Sequence, residues 1–132
     1  MLIKVAIAGI AGRMGRTLAE MVHAAGDLEL VGGLERTGSP WLGQSIEAGL
    51  SLPSATGAII DDIAALPEFD VLLDFTTTQS TLAHLATCLT RGTAMVIGTT
   101  GFTADEMMKI EQASTHITIV HAQNYSVGLT LY

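Results

Sequence analysis

Residues 3–15, Ile-Lys-Val-Ala-Ile-Ala-Gly-Ile-Ala-Gly-Arg-Met-Gly, pass from a short apolar strand directly into three glycines spaced by three. The order is strand, tight turn, helix start. Gly9 ends the strand where the backbone must turn without a Cβ, Gly12 lets the main chain lie against something bulky, and Gly15 lets the next helix pack close to the sheet. The first amides of that helix have no acceptor within it, and the helix dipole places partial positive charge on them, so the turn is suited to a pyrophosphate.

The spacing is G-x-x-G-x-x-G, one residue longer than the usual dinucleotide turn, and it is the surroundings that give it weight. Met14, Leu18, Met21, Val22 and Ala25 recur at helical spacing, Gly26-Asp27 breaks the helix, and residues 28–34 form a second strand. That strand runs into Glu35, whose carboxylate is placed to accept hydrogen bonds from an adenosine ribose. Arg36 beside it either grips a 2′-phosphate with its guanidinium fork or is simply solvated. A glycine-rich strand–helix turn followed by a surface acid is the plainer alternative.

From Arg36 to Gly57 the chain is rich in Gly, Ser and Pro and reads as a long surface excursion with little regular structure. Residues 58–60 read as a short third strand, with Asp61 capping a brief helix that Pro67 stops. Residues 71–75 form a buried strand in which Asp74 is a half-buried structural carboxylate. Thr76, Thr77 and Thr78 follow at its carboxyl end, where open α/β sheets hold ligands; their hydroxyls serve a pocket or cap the next helix. That helix spans 80–91, with Leu82, Leu85, Ala86 and Leu89 facing the sheet and His84 solvated. A strand over 94–97 delivers Gly98-Thr99-Thr100-Gly101-Phe102, where glycines admit a planar ligand and threonines offer hydroxyls. Thr103 to Glu106 is a capping box for a helix whose apolar stripe is Met107, Ile110 and Ala113. A sixth strand over 117–120 ends in His121-Ala122-Gln123-Asn124-Tyr125-Ser126, and an apolar run follows to Tyr132. Six strands alternating with helices predict a doubly wound, three-layer, mainly parallel α/β sheet of Rossmann type.

With 14 glycines added to 48% apolar residues, the composition exceeds the ~45–50% usual on that count, as a sheet buried on both faces requires. The net charge of −7, with six scattered Lys and Arg, argues against nucleic acid. No apolar stretch nears the ~20 residues of a membrane span, and no charged leader precedes the first strand, so a soluble, cytoplasmic protein is expected. Cys88 is the single cysteine and reads as a buried, inert thiol. His23, His84, His116 and His121 lack metal-ligand spacing, so no metal site is expected. His121 reads as a core histidine near the ligand edge.

Taken together, residues 5–16 with their GRMGR turn, Leu34-Glu35-Arg36, Asp74-Phe75-Thr76, the run from Met95 to Phe102, and Asn124-Tyr125-Ser126-Val127-Gly128 closely resemble the 4-hydroxy-tetrahydrodipicolinate reductases of the diaminopimelate route to lysine. The likeness extends over residues 3–128. It implies that Gly9, Ile10, Ala11, Gly12, Arg13 and Met14 hold the pyrophosphate, Glu35 the ribose, and Arg36 the 2′-phosphate of NADPH. It further implies that Gly98, Thr99, Thr100 and Ala122, Gln123, Asn124, Tyr125 frame the nicotinamide, with Thr100 also touching the small-molecule substrate. The implied protein is an NAD(P)H-dependent oxidoreductase that accepts NADH and NADPH and delivers hydride with loss of water.

The family's E-x-H-H-x-x-K-x-D-x-P-S-G-T segment, which carries its proton donor and substrate lysine, does not occur in these 132 residues. Residues 1–127 are therefore expected to form the cofactor domain and 128–132 to begin the crossing into a substrate and tetramerisation domain. No catalytic residue is expected in this chain, and alone it should bind cofactor without turnover. Two other readings stand beside this one: a non-catalytic NAD(H)-binding module, and another amino-acid-pathway dehydrogenase with the same first domain.

Overall fold

A computed structural model describes residues 2–124 and 128–131. Strand β1, Ile3–Ala8, lies in the interior of one seven-stranded sheet. On one side it pairs with β2, Leu28–Leu34, which pairs with β3, Ile59–Ile60. On the other come β4, Val71–Asp74, β5, Ala94–Ile97, β6, Ile119–Asn124, and β7, Gly128–Leu131. The order β3-β2-β1-β4-β5-β6 is the doubly wound Rossmann order, and those six strands are parallel. The seventh is antiparallel to β6, with Val120 opposite Leu131 and Asn124 opposite Gly128. The chain leaves β1 in one direction and returns to its other side at β4, so a crevice opens beyond the carboxyl ends of these two strands.

Both faces of the sheet are buried, and β1 shows why its sequence is almost uninterruptedly apolar. Val5 and Ile7 join one core with Ala19 and Val22 of α1, Arg13–Ala24, and Ile46 and Leu50 of α2, Ile46–Leu50. Ala6 and Ala8 join the other, with Leu85 and Cys88 of α3, Thr78–Arg91, and Ile110 and Ala113 of α4, Ala104–Ala113. Alternate side chains of one strand thus serve alternate layers.

Several local expectations are corrected. The buried side of α1 is Gly15, Ala19 and Val22, while Met21 is 63% exposed, because a helix lying close to a sheet needs small residues at the contact. The segment after Arg36 is not a bare excursion: it contains α2, capped by Ser45, and buries Ile46, Leu50 and Leu52. Asp62, not Asp61, caps the short 3-10 turn Ile63–Ala65, by accepting from the Ala64 amide. The sixth strand runs Ile119–Asn124, later than expected. Among the described residues no helix is long and apolar enough to cross a membrane, and no group of three or more potential metal ligands forms.

Candidate functional site: the crevice between β1 and β4

The glycine turn is built as its sequence requires, with a tighter interior than expected. A Cβ on Gly15 would overlap the carbonyl of Gly9, so this glycine is what lets the start of α1 nest into its own preceding turn. Gly9 and Ile10 send their amides to the Leu34 carbonyl, and Gly12 sends its amide to the Gly9 carbonyl. The Ala11 amide donates to Glu35 Oε2 at 2.9 Å. The amides open to a ligand therefore narrow from the whole run 9–14 to Arg13 and Met14, which have no acceptor among the described residues. Helices α2, α3 and α4 are capped by Ser45, Thr77 and Thr103. Helix α1 begins after Gly12 with no capping side chain and no acid in its first turn. A helix end left this way is suited to an external anion.

This helix end opens onto a cleft of about 500 Å³. On its β2 side stand Glu35, Arg36, Thr37 and Asp61, and Thr37 donates to Asp61 at 3.2 Å. Among the described residues no donor reaches the second carboxylate oxygen of Glu35. Arg36 is exposed, and among the described residues no hydrogen bond or ion pair holds its guanidinium. The other wall comes from the end of β4 and the start of α3: Phe75, Thr76, Thr77, Ser80 and His84.

The second glycine turn is placed differently from expectation. A Cβ on Gly98 would overlap the ring of Phe75, so its bareness accommodates the protein's own aromatic side chain. Thr99 is 5% exposed, and its hydroxyl accepts from the Thr76 amide at 3.0 Å and lies in hydrogen-bond contact with the Thr81 hydroxyl at 2.8 Å. Its hydroxyl faces inward and braces the turn. Thr100 is exposed and borders a smaller hollow of about 300 Å³ with Phe102 and His121. His121 is buried, donates from Nε2 to the Thr99 carbonyl at 3.2 Å, and meets Phe102 edge-on at 5.6 Å. Ala122, Gln123 and Asn124 lie on β6, which adjoins β5 and its Gly98 turn. Tyr125 lies outside the described residues.

Two residues of this region, Asp74 expected to be half-buried and His84, are placed differently from expectation. Asp74 is fully buried, and His84, expected to be solvated, holds its Nδ1 2.6 Å from Asp74 Oδ2. The buried side of α3 is Thr81, Leu85 and Cys88, with Leu89 at 37% exposure. The helix is rotated from the stripe expected because a buried carboxylate on β4 draws polar donors inward. A signal was available: Thr81, His84, Leu85 and Cys88 share helical spacing, and an acid inside an apolar strand needs partners.

Order of strands, glycine turn and crevice together define a Rossmann-type dinucleotide-binding domain. The family model for the N-terminus of dihydrodipicolinate reductase matches residues 3–125, and the chain belongs to that family. It is 47% identical over 130 residues to the 4-hydroxy-tetrahydrodipicolinate reductase of Burkholderia ambifaria, covering 97% of this chain and 48% of that protein. The enzyme of the same name from Nitrosomonas europaea is 43% identical over 129 residues, again with 48% of its length covered. The chain thus spans about half the length of the curated relatives it matches. Among solved structures, a dipicolinate-bound dihydrodipicolinate reductase from a Paenisporosarcina species superposes with a TM-score of 0.75 at 27% identity, over 96% of this chain and 49% of that one. A myo-inositol dehydrogenase from Corynebacterium glutamicum shares the fold alone, with a TM-score of 0.64 at 18% identity over 90% of this chain and 36% of that one.

Proposed function

We propose that this chain is the NAD(P)H-binding part of a 4-hydroxy-tetrahydrodipicolinate reductase, a cytoplasmic enzyme of lysine and diaminopimelate synthesis. The observation that carries the reading is the uncapped start of α1, whose Arg13 and Met14 amides have no acceptor among the described residues and whose preceding Gly9 and Gly12 line a cleft that Glu35 and Arg36 border. A reduced dinucleotide bound there supplies the hydride. The chain's own task is to hold and aim it. Arg13 and Met14 donate to the diphosphate, the free oxygen of Glu35 accepts from the adenosine ribose, and Arg36 pairs with a 2′-phosphate. Gly98 and Thr100 border the nicotinamide through backbone and exposed hydroxyl, while Thr99 acts from behind as a brace. Ala122 to Tyr125 complete that border, and Thr100 also meets the substrate.

Residues 1–127 form the cofactor domain in this reading, and 128–132 lead into a substrate domain through which the parent protein assembles as a homotetramer. Substrate is a small cyclic diacid, and nucleic acid has no part, consistent with the −7 charge. No residue of this chain acts as acid or base.

Calorimetric titration with NADH and NADPH tests the reading: both should bind at a single site with similar affinity. Gly15→Ala should abolish most of that binding, because the added methyl displaces the Gly9 carbonyl and with it the turn. Overpacking of this kind costs about 1–3 kcal/mol, so the melting temperature should fall as well. Unchanged affinity in Gly15→Ala, or no binding by the unaltered chain, would refute the proposal.

A further inference from the structure

Asp74 sits at the carboxyl end of β4 with no solvent exposure, and among the described residues its carboxylate is met by three polar side chains, those of Thr76, Thr81 and His84. Its Oδ1 accepts from the Thr76 hydroxyl at 2.6 Å and from the Thr81 hydroxyl at 3.2 Å. Its Oδ2 is 2.6 Å from His84 Nδ1. A carboxylate can only accept, so Nδ1 is the nitrogen that carries hydrogen, and the neutral ring then holds its lone pair on Nε2. That second nitrogen has no partner among the described residues, and it is not sealed from solvent. The ring lines the same cleft as Glu35 and Arg36. Buried carboxylate, fixed tautomer and one open acceptor make a built arm whose end is unused by the protein.

We infer that His84 is a nucleotide-contacting residue whose Nε2 accepts a hydrogen bond from the adenosine half of the ligand, with Asp74 as the residue that positions it. The inference rests on the dinucleotide reading of the cleft proposed above. Two observations select the adenosine half. The cleft His84 lines includes the end of β2 and none of the Gly98–Gly101 turn. An acceptor nitrogen also has nothing to take from a phosphate, whereas adenosine offers its amino group and ribose hydroxyls.

The test exploits side-chain geometry. In His84→Asn the amide nitrogen stands where Nδ1 stood and keeps the Asp74 bond, but no atom replaces Nε2. Calorimetry with NADH and with ADP-ribose, which lacks the nicotinamide, should show both weakened by roughly three- to tenfold, the weight of one hydrogen bond. Equal binding by His84→Asn, or weakening for NADH with none for ADP-ribose, overturns the inference and leaves the cofactor reading intact. Failure of the unaltered chain to bind either probe overturns both.

A second measurement does not depend on a variant's folding. Nitrogen NMR of the histidine rings in the unaltered chain should show hydrogen on Nδ1 of His84 and a lone pair on Nε2; the reverse tautomer overturns the inference. Asp74→Asn, whose amide can donate to Nδ1, should reverse the tautomer and reproduce the loss of affinity. Reversal with affinity unchanged also overturns it.

Discussion

Glu35 and Arg36 are adjacent in sequence and opposite in circumstance, and the difference decides how each can treat a nucleotide. The Glu35 carboxylate is tethered through Oε2 to the Ala11 amide, so in the proposed reading its charge stays beside the ribose whichever cofactor arrives. Arg36 is untethered and exposed, free to close on a 2′-phosphate when one is present and idle when it is not. Arg36→Ala should therefore weaken NADPH by roughly 10- to 150-fold, the range of a charged hydrogen bond of about 1.5–3 kcal/mol, and leave NADH within about twofold of its unaltered affinity. Equal losses for both in calorimetry would remove its phosphate role. Cys88 supplies a test of burial instead of binding. Desolvation by burial is the main cause that pushes its thiol above the ordinary value. Folding then favours the protonated thiol. Its contribution to stability is full below the usual thiol range, about 8.5, and declines as pH rises above it through the higher folded value. Urea melts across that window should show a slope that Cys88→Ala flattens.

At the scale of elements, the capped starts of α2, α3 and α4 differ from the uncapped start of α1. Helix α4 starts with a reciprocal capping box, Thr103 accepting from the Glu106 amide and Glu106 accepting from the Thr103 amide. Thr103→Ala should cost about 0.5–2 kcal/mol of stability in denaturant melts while leaving NADH affinity unaltered; a loss of affinity would mean that this helix end shapes the nucleotide site. The capping box, β2 over Leu28–Leu34, β5 over Ala94–Ile97 and the glycine turn were all legible in sequence, because each depends on residues close together in the chain. What was illegible depended on partners far apart. Glu35 meets Ala11 only once β1 and β2 pair, Thr99 turns inward because Thr76 and Thr81 come to it from the turn after β4 and from α3, and His84 is drawn in by Asp74. Met21 on α1 and Leu89 on α3 looked like core from their hydrophobicity, but the space against the sheet goes to smaller residues and to the Asp74 partners. Residues 36–57 looked featureless because Gly, Ser and Pro obscure a five-residue helix whose apolar positions Ile46 and Leu50 are spaced for burial.

For the whole molecule, the proposed ligand and the protein carry charge of the same sign. A dinucleotide approaching a chain of net charge −7 is repelled at long range and attracted only when close to the first amides of α1 and to Arg36. These two influences have different reach. At ~0.01 M ionic strength the screening length is about 30 Å, long enough for the whole protein to act on an arriving anion; at ~0.15 M it is about 8 Å, and the distant charges are largely silenced while local contacts persist. The association rate for NADH should therefore rise as salt is raised over that range, the opposite of what basic nucleotide-binding surfaces show. Trp41 makes the rate measurable. It is the single tryptophan, its ring lies 4.6 Å beneath the Arg16 guanidinium, and Arg16 donates to the Ala11 carbonyl of the glycine turn at 3.2 Å. Nucleotide settling on that turn should alter the indole emission, so stopped-flow fluorescence follows the encounter directly. A rate that falls with added salt would mean that the local cations govern approach as well as capture, and that the acidic surface lies turned away from the crevice.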